Sequence, residues 1–139
     1  MKKILNLIML LVIAGAISSC GGNSTPAQEL QAEVEATQQT LPQSLSDDII
    51  LVAVAIEGDC VYYDYDVTDQ ATVLNAPGKR DDLQASLTEA VSDKQFARFV
   101  QLIVANGKSL GYRYRDTKSN LKSEIKFTPQ DLQQLLGQQ

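Results

Sequence analysis

The chain has 139 residues, 12 Lys and Arg against 17 Asp and Glu, a formal net charge of −5 and no histidine. An acidic protein repels phosphate backbones, which argues against a nucleic-acid partner. The missing histidine excludes Ser-His-Asp triads, Cys-His pairs and His-based metal sites, so catalysis is not expected and no cofactor or metal is expected.

Lys2 and Lys3 open the chain, Ile4 to Ile17 is an almost unbroken apolar run, and Ile17-Ser18-Ser19-Cys20 closes it. The layout predicts an export signal over residues 1–19, too short and too early for a helix of the mature protein. Its last four residues resemble the lipobox of bacterial lipoproteins, in which a branched aliphatic and two small residues precede a cysteine. The resemblance implies that Cys20 is acylated (a palmitate-type anchor), becomes the first mature residue and holds the protein on a membrane of the cell envelope. Gly21 is not the aspartate that retains such proteins in an inner membrane, so in a host with two membranes the outer one is implied.

Cleavage before Cys20 leaves 120 of the 139 residues, with ten basic and 17 acidic side chains and a net charge of −7. That length suits one domain with a real core. Membrane contact then falls to the acyl chains, because an acidic surface repels anionic headgroups. With Cys20 acylated, Cys60 is the remaining thiol. No intramolecular disulfide is available, and Cys60 is expected as a small buried hydrophobe at a strand start.

Residues 20–46 are expected to be a tether. Gly21 to Thr25 is a polar leader. Thr25-Pro26-Ala27-Gln28 has the form of a helix start, and Leu30, Val34, Thr37 and Leu41 make a thin apolar stripe that either frays or docks. Pro42 to Ser46 is expected as linker.

The globular domain is expected over residues 47–139. Ile49 to Ile56 is apolar throughout, the mark of a central strand. Glu57-Gly58-Asp59-Cys60 turns the chain, and Val61 to Val67 alternates, pairing with the first strand as a hairpin. Residues 68–80 are expected as a loop. A helix opens at Asp81 or Asp82 with Leu83, Leu87 and Val91 on one face. Ser92-Asp93-Lys94-Gln95 marks a kink or a second helix, carrying Phe96, Phe99, Val100, Ile103 and Val104 to a stop at Asn106-Gly107. Leu110 to Arg115 and Leu121 to Phe127 alternate again across a turn at 116–120, and Thr128-Pro129-Gln130-Asp131 caps a last helix. The order ββα(α)ββα predicts an α+β two-layer sandwich, an antiparallel sheet of about four strands covered by helices.

Alternation assigns faces. Tyr63, Tyr65, Tyr112, Tyr114, Ile125 and Phe127 should meet the helices, leaving Asp64, Asp66, Arg113, Arg115, Lys122, Glu124 and Lys126 on the open face beside Tyr62. Opposite charges there should pair. Asp64, Asp66, Arg113 and Arg115 are the candidate interaction surface. Asp64, Asp66 and Asp69 lack the glycine and distal glutamate of a calcium loop, so no metal site is expected. Strand 49–56 is apolar on its second face too, and something should cover that face: tether, loop, second copy or client.

The apolar first strand, Tyr63-Asp64-Tyr65-Asp66, Gly111-Tyr112-Arg113-Tyr114 and Thr128-Pro129-Gln130-Asp131 together resemble small lipoproteins found in Bacteroides-like bacteria, over roughly residues 47–137. Those motifs are structural and imply no activity. The resulting expectation is a lipid-anchored envelope protein that acts as a non-enzymatic interaction module with a protein partner or a second copy of itself. The alternative is a binder of a small ligand or glycan between sheet and helices.

Overall fold

Alternating strands and capped helices build a sheet with helices on one side in the computed structural model, which describes residues 24–137. The export signal over 1–19 and the acylation of Cys20 lie outside the described residues.

Helix α1 (Pro26–Gln38) starts on a reciprocal cap, in which the Thr25 hydroxyl accepts from the Gln28 N–H while the Gln28 side chain accepts from the Thr25 N–H. Strands β1 (Gln43–Ser46), β2 (Ile49–Glu57) and β3 (Cys60–Val67) follow. Next come α2 (Gln70–Asn75), a 3-10 turn (Pro77–Lys79), α3 (Arg80–Ala90) and α4 (Lys94–Ala105). Strands β4 (Ser109–Asp116) and β5 (Lys122–Phe127) precede the last helix, α5 (Pro129–Gly137).

The fold is α+β, as alternation and capping predict, with three differences. The sheet has five strands in the order β1-β2-β3-β4-β5, one more than expected. It is also not wholly antiparallel, because β3 and β4 run parallel from Cys60↔Ser109 to Val67↔Asp116. Parallel neighbours need a long crossover, and α2 to α4 supply it between β3 and β4. Residues 68–80, expected as loop, hold α2 and the 3-10 turn. Asp69 caps α2 by accepting from the Ala71 N–H, and Val73 and Ala76 bury their side chains.

The tether expected over 20–46 is also different in its described part. Leu30 and Val34 of α1 are buried, and the helix packs on β2 and α4. Arg98 of α4 pairs with Glu29, and the Asn106 amide donates to the Pro26 carbonyl. The stripe Leu30–Val34–Thr37 is thin, but two well-buried aliphatic side chains contribute about 1.5–3 kcal/mol each. Beyond α1, residues 43–46 form an edge strand against Ile49–Leu51. Past the end of β1 the Val54 N–H donates to Gln38 Oε1 of α1 (2.9 Å), so the helix also closes the exposed edge of β2.

The core lies between the sheet and the helices. Tyr63, Tyr65, Tyr112 and Tyr114 form a stack, with Tyr63–Tyr112 centroids 5.5 Å apart and Tyr65–Tyr114 5.1 Å apart. Phe99 of α4 meets Tyr63 edge-on, and Phe127 meets Tyr112 in the same way. Such contacts contribute beyond area burial alone, about 0.5–1.5 kcal/mol each. The hydroxyls of Tyr63, Tyr65 and Tyr112 and the Oε1 of Glu33 are buried without a hydrogen-bond partner among the described residues. Burial pushes the Glu33 carboxyl above its ordinary value, against the attraction of Arg98.

Candidate functional site

The opposite face of the sheet carries no helix among the described residues, and its side chains form ranks across β2 to β5 that follow from the strand register. One rank reads Ile50, Asp66, Arg115, Lys122. The next reads Ala53, Asp64, Arg113, Glu124, and the third Ala55, Tyr62, Gly111, Lys126.

The β2 column is apolar because of a bulge. Register shifts between Leu51 and Ala53, so Leu51 and Val54 both reach the core although three residues apart. An extra residue that bends a strand is the ordinary consequence of such a bulge. Ile50 is exposed, and Val52, Ala53 and Ala55 are half-buried. The apolar second face expected for this strand is therefore present, and α1 lies on the other side of it. No described element covers it.

Arg113 organises the middle of the face. Its Nε and Nη2 donate to Asp64 (Nη2 at 2.9 Å), and its Nη1 and Nη2 donate to Glu57 at 3.1 and 2.7 Å. Its guanidinium lies 3.9 Å from the Tyr62 ring centroid. Hydrogen bonding to Glu57 and Asp64 raises Arg113 above its ordinary value, and hydrogen bonding to Arg113 holds the Glu57 carboxyl down. Arg115 makes a two-point pair with Asp66, at 3.2 and 3.1 Å, and Lys126 pairs with Glu124 at 3.7 Å.

Tyr62 lies flat across β4 because Gly111 has no side chain. A Cβ there would fall 2.6 Å from two Tyr62 ring carbons and 3.0 Å from Cys60 Sγ. Cys60 is free and buried as expected, and burial pushes its thiol up, away from thiolate chemistry. Alternation places Tyr62 and Gly111 on this face. It does not show that one lies over the other, since that depends on the parallel pairing of β3 with β4.

Asp64, Asp66, Arg113 and Arg115 are thus brought together, as expected. Asp69 is not, being the cap of α2. Among the described residues no group of three His, Cys, Asp or Glu side chains could hold a metal ion, and no helix is long and apolar enough to cross a membrane. A concavity of about 580 Å³ lies over the face, between Val52 and Ala53 on one side and Lys122 and Glu124 on the other.

No family model matches the chain, and no curated protein matches it. Among solved structures, a crystal structure of a candidate secreted protein from Pseudomonas aeruginosa is similar, with a TM-score of 0.56 at 19% identity. The match covers 80% of this chain and 99% of that one, so the two share an α+β fold that makes up the whole of the other chain.

Proposed function

We propose that this chain is a lipid-anchored protein of the cell envelope, held through Cys20, whose domain is a non-enzymatic interaction module. The open sheet face, with Asp64, Asp66, Arg113 and Arg115, receives an envelope protein partner. The observation that supports this reading is the bare face itself, where the apolar column Ile50–Val52–Ala53–Ala55 runs directly beside ranks of paired charge. An uncovered apolar strip rimmed by polar groups is a typical interaction surface. A non-enzymatic role fits a face whose carboxylates Asp64, Asp66, Glu57 and Glu124 each meet a cation. The outer membrane is the favoured location in a host with two membranes, from Gly21 at the position after the lipidated cysteine. A second reading, a binder of a small ligand or glycan, draws on the 580 Å³ concavity.

Mild cross-linking in the native host, followed by purification of the tagged full chain beside a Cys20→Ala variant, tests both parts. The expected result is an envelope protein recovered with the wild type, and a variant released from membranes. Tight membrane association of Cys20→Ala would overturn the anchor. Recovery of the chain alone from well-solubilised membranes, with thermal stabilisation by a small ligand or glycan, would replace the module by the second reading.

A further inference from the structure

The two arginines of β4 differ in what they have left to offer. Arg113 uses Nε, Nη1 and Nη2 on Glu57 and Asp64 and lays its face on Tyr62. Arg115 spends only Nε and Nη2, both on Asp66, and its side chain is 50% exposed. Its Nη1 has no protein partner among the described residues. Directly opposite Arg115 on β5 stands Lys122, exposed, its ammonium without an ion pair or hydrogen bond to any described residue. Like charges facing each other across a ladder destabilise a sheet. The rank Ile50–Asp66–Arg115–Lys122 thus sets two cations against one carboxylate, in a chain whose net charge is −5.

The far end of the same rank is apolar. Ile50 is 38% exposed, and the bulged Val52 lies next to it. From β2 to β5 is three strand spacings, about 14 Å at about 4.8 Å each, which an extended chain of about four residues spans. A small inorganic anion would meet the cations and leave Ile50 and Val52 bare. We propose that this rank recognises an extended acidic protein segment. One of its carboxylates lies on Arg115 Nη1 and the Lys122 ammonium, and an apolar side chain three or four residues away covers Ile50 and Val52. The inference rests on the interaction-module reading and supplies the chemistry of the partner. It also separates Arg113, a structural member of the face, from Arg115, a recognising one.

The test uses the full chain in detergent and two fluorescein-labelled peptides, Gly-Leu-Ser-Ser-Asp-Asp-Gly and the same sequence with Asn for both Asp. The acidic probe is expected to bind about tenfold or more tightly than the amide probe, equivalent to about 1.4 kcal/mol, and to weaken as salt rises. The Arg115→Gln/Lys122→Gln double variant, checked for folding by circular dichroism, should lose that preference. Lys94→Gln, an exposed charge at the start of α4, should keep it. Equal binding of both probes, binding of neither, or an unchanged preference in the double variant would overturn the inference. A photo-reactive residue at position 52 in the host separates the two failures. Capture of the same partner by wild type and double variant would end the acidic-segment assignment and leave the module standing. Capture of nothing by either would end both, and capture of a second copy of the chain would replace the acidic segment by self-association.

Discussion

The two faces of strands β3 and β4 are made from alternate residues of the same sixteen positions, yet they obey different physics. On the helix side, four tyrosines stack in a dry layer and leave three hydroxyls without partners. On the open side, every aspartate of β3 meets an arginine of β4, in a layer that stays partly wet. Packing dominates the first face, because buried apolar area is worth far more than solvated ion pairs. The second keeps its charges at the surface beside the apolar column of β2, and it is the face proposed above to receive a partner.

Substitutions can break this contrast, and the largest effect should come from the dry face. Tyr112→Ala removes a ring that touches Tyr63, Tyr65 and Phe127. Denaturant unfolding should show a loss of about 3–5 kcal/mol. Tyr112→Phe deletes only a hydroxyl that has no partner, so it should be neutral or mildly stabilising. A large loss in Tyr112→Phe would mean that the hydroxyl is satisfied in solution.

Gly111→Ala tests the junction between the faces. Its new Cβ would strike the Tyr62 ring, which must swing away from Arg113. A cost of about 1–3 kcal/mol is expected. Chemical denaturation measures it, and an unchanged stability would show that Tyr62 moves aside at no cost.

Glu33 offers a smaller effect with a definite pH sign. Burial raises its carboxyl, so the folded state holds this proton more tightly than the unfolded chain does. The stability it contributes is complete below the ordinary value of 4.5 and is lost as pH rises through the elevated folded value. Glu33→Gln should therefore gain up to about 1 kcal/mol at neutral pH, and the gain should vanish in acid. Thermal melts at several pH values check this, and a gain that grew in acid would contradict the assigned sign.

The smallest effects belong to the wet face. Asp66→Asn should change stability by no more than about 1 kcal/mol, because exposed pairs contribute little. Asp64→Asn should cost more than Asp66→Asn, since Asp64 is part of the Glu57–Arg113–Tyr62 assembly. Equal costs in chemical denaturation would erase the distinction between Arg113 and Arg115.

Much of the site is legible in the order of residues. Period-two alternation places Asp64, Asp66, Arg113 and Arg115 on one face and Tyr63, Tyr65, Tyr112 and Tyr114 on the other, because side-chain direction in an unbulged strand follows parity. The guanidinium edge of Arg115 and the Lys122 ammonium that meet no partner among the described residues are not legible, since both depend on which strands are neighbours. The α1 helix is legible as a helix from its Thr25–Gln28 cap, whereas its docking is not. Helix α2 escapes a sequence reading because six residues carry too little periodicity, and its cap at Asp69 does not stand out among neighbouring aspartates.

The sequence by itself determined what local rules control: the acidic charge, the absence of histidine, the caps at Thr25, Asp93 and Thr128, and the parity that sorts the strands into two faces. Tertiary structure alone decided the parallel union of β3 with β4, the bulge at Val52, the closure of the β2 edge by Gln38 and the ranks that the register lays across the open face. Those features join residues far apart in the chain, such as Asp64 and Arg113, 49 positions apart. Their energies arise from contacts that exist only once the chain has closed upon itself, and no local pattern of residues carries that information.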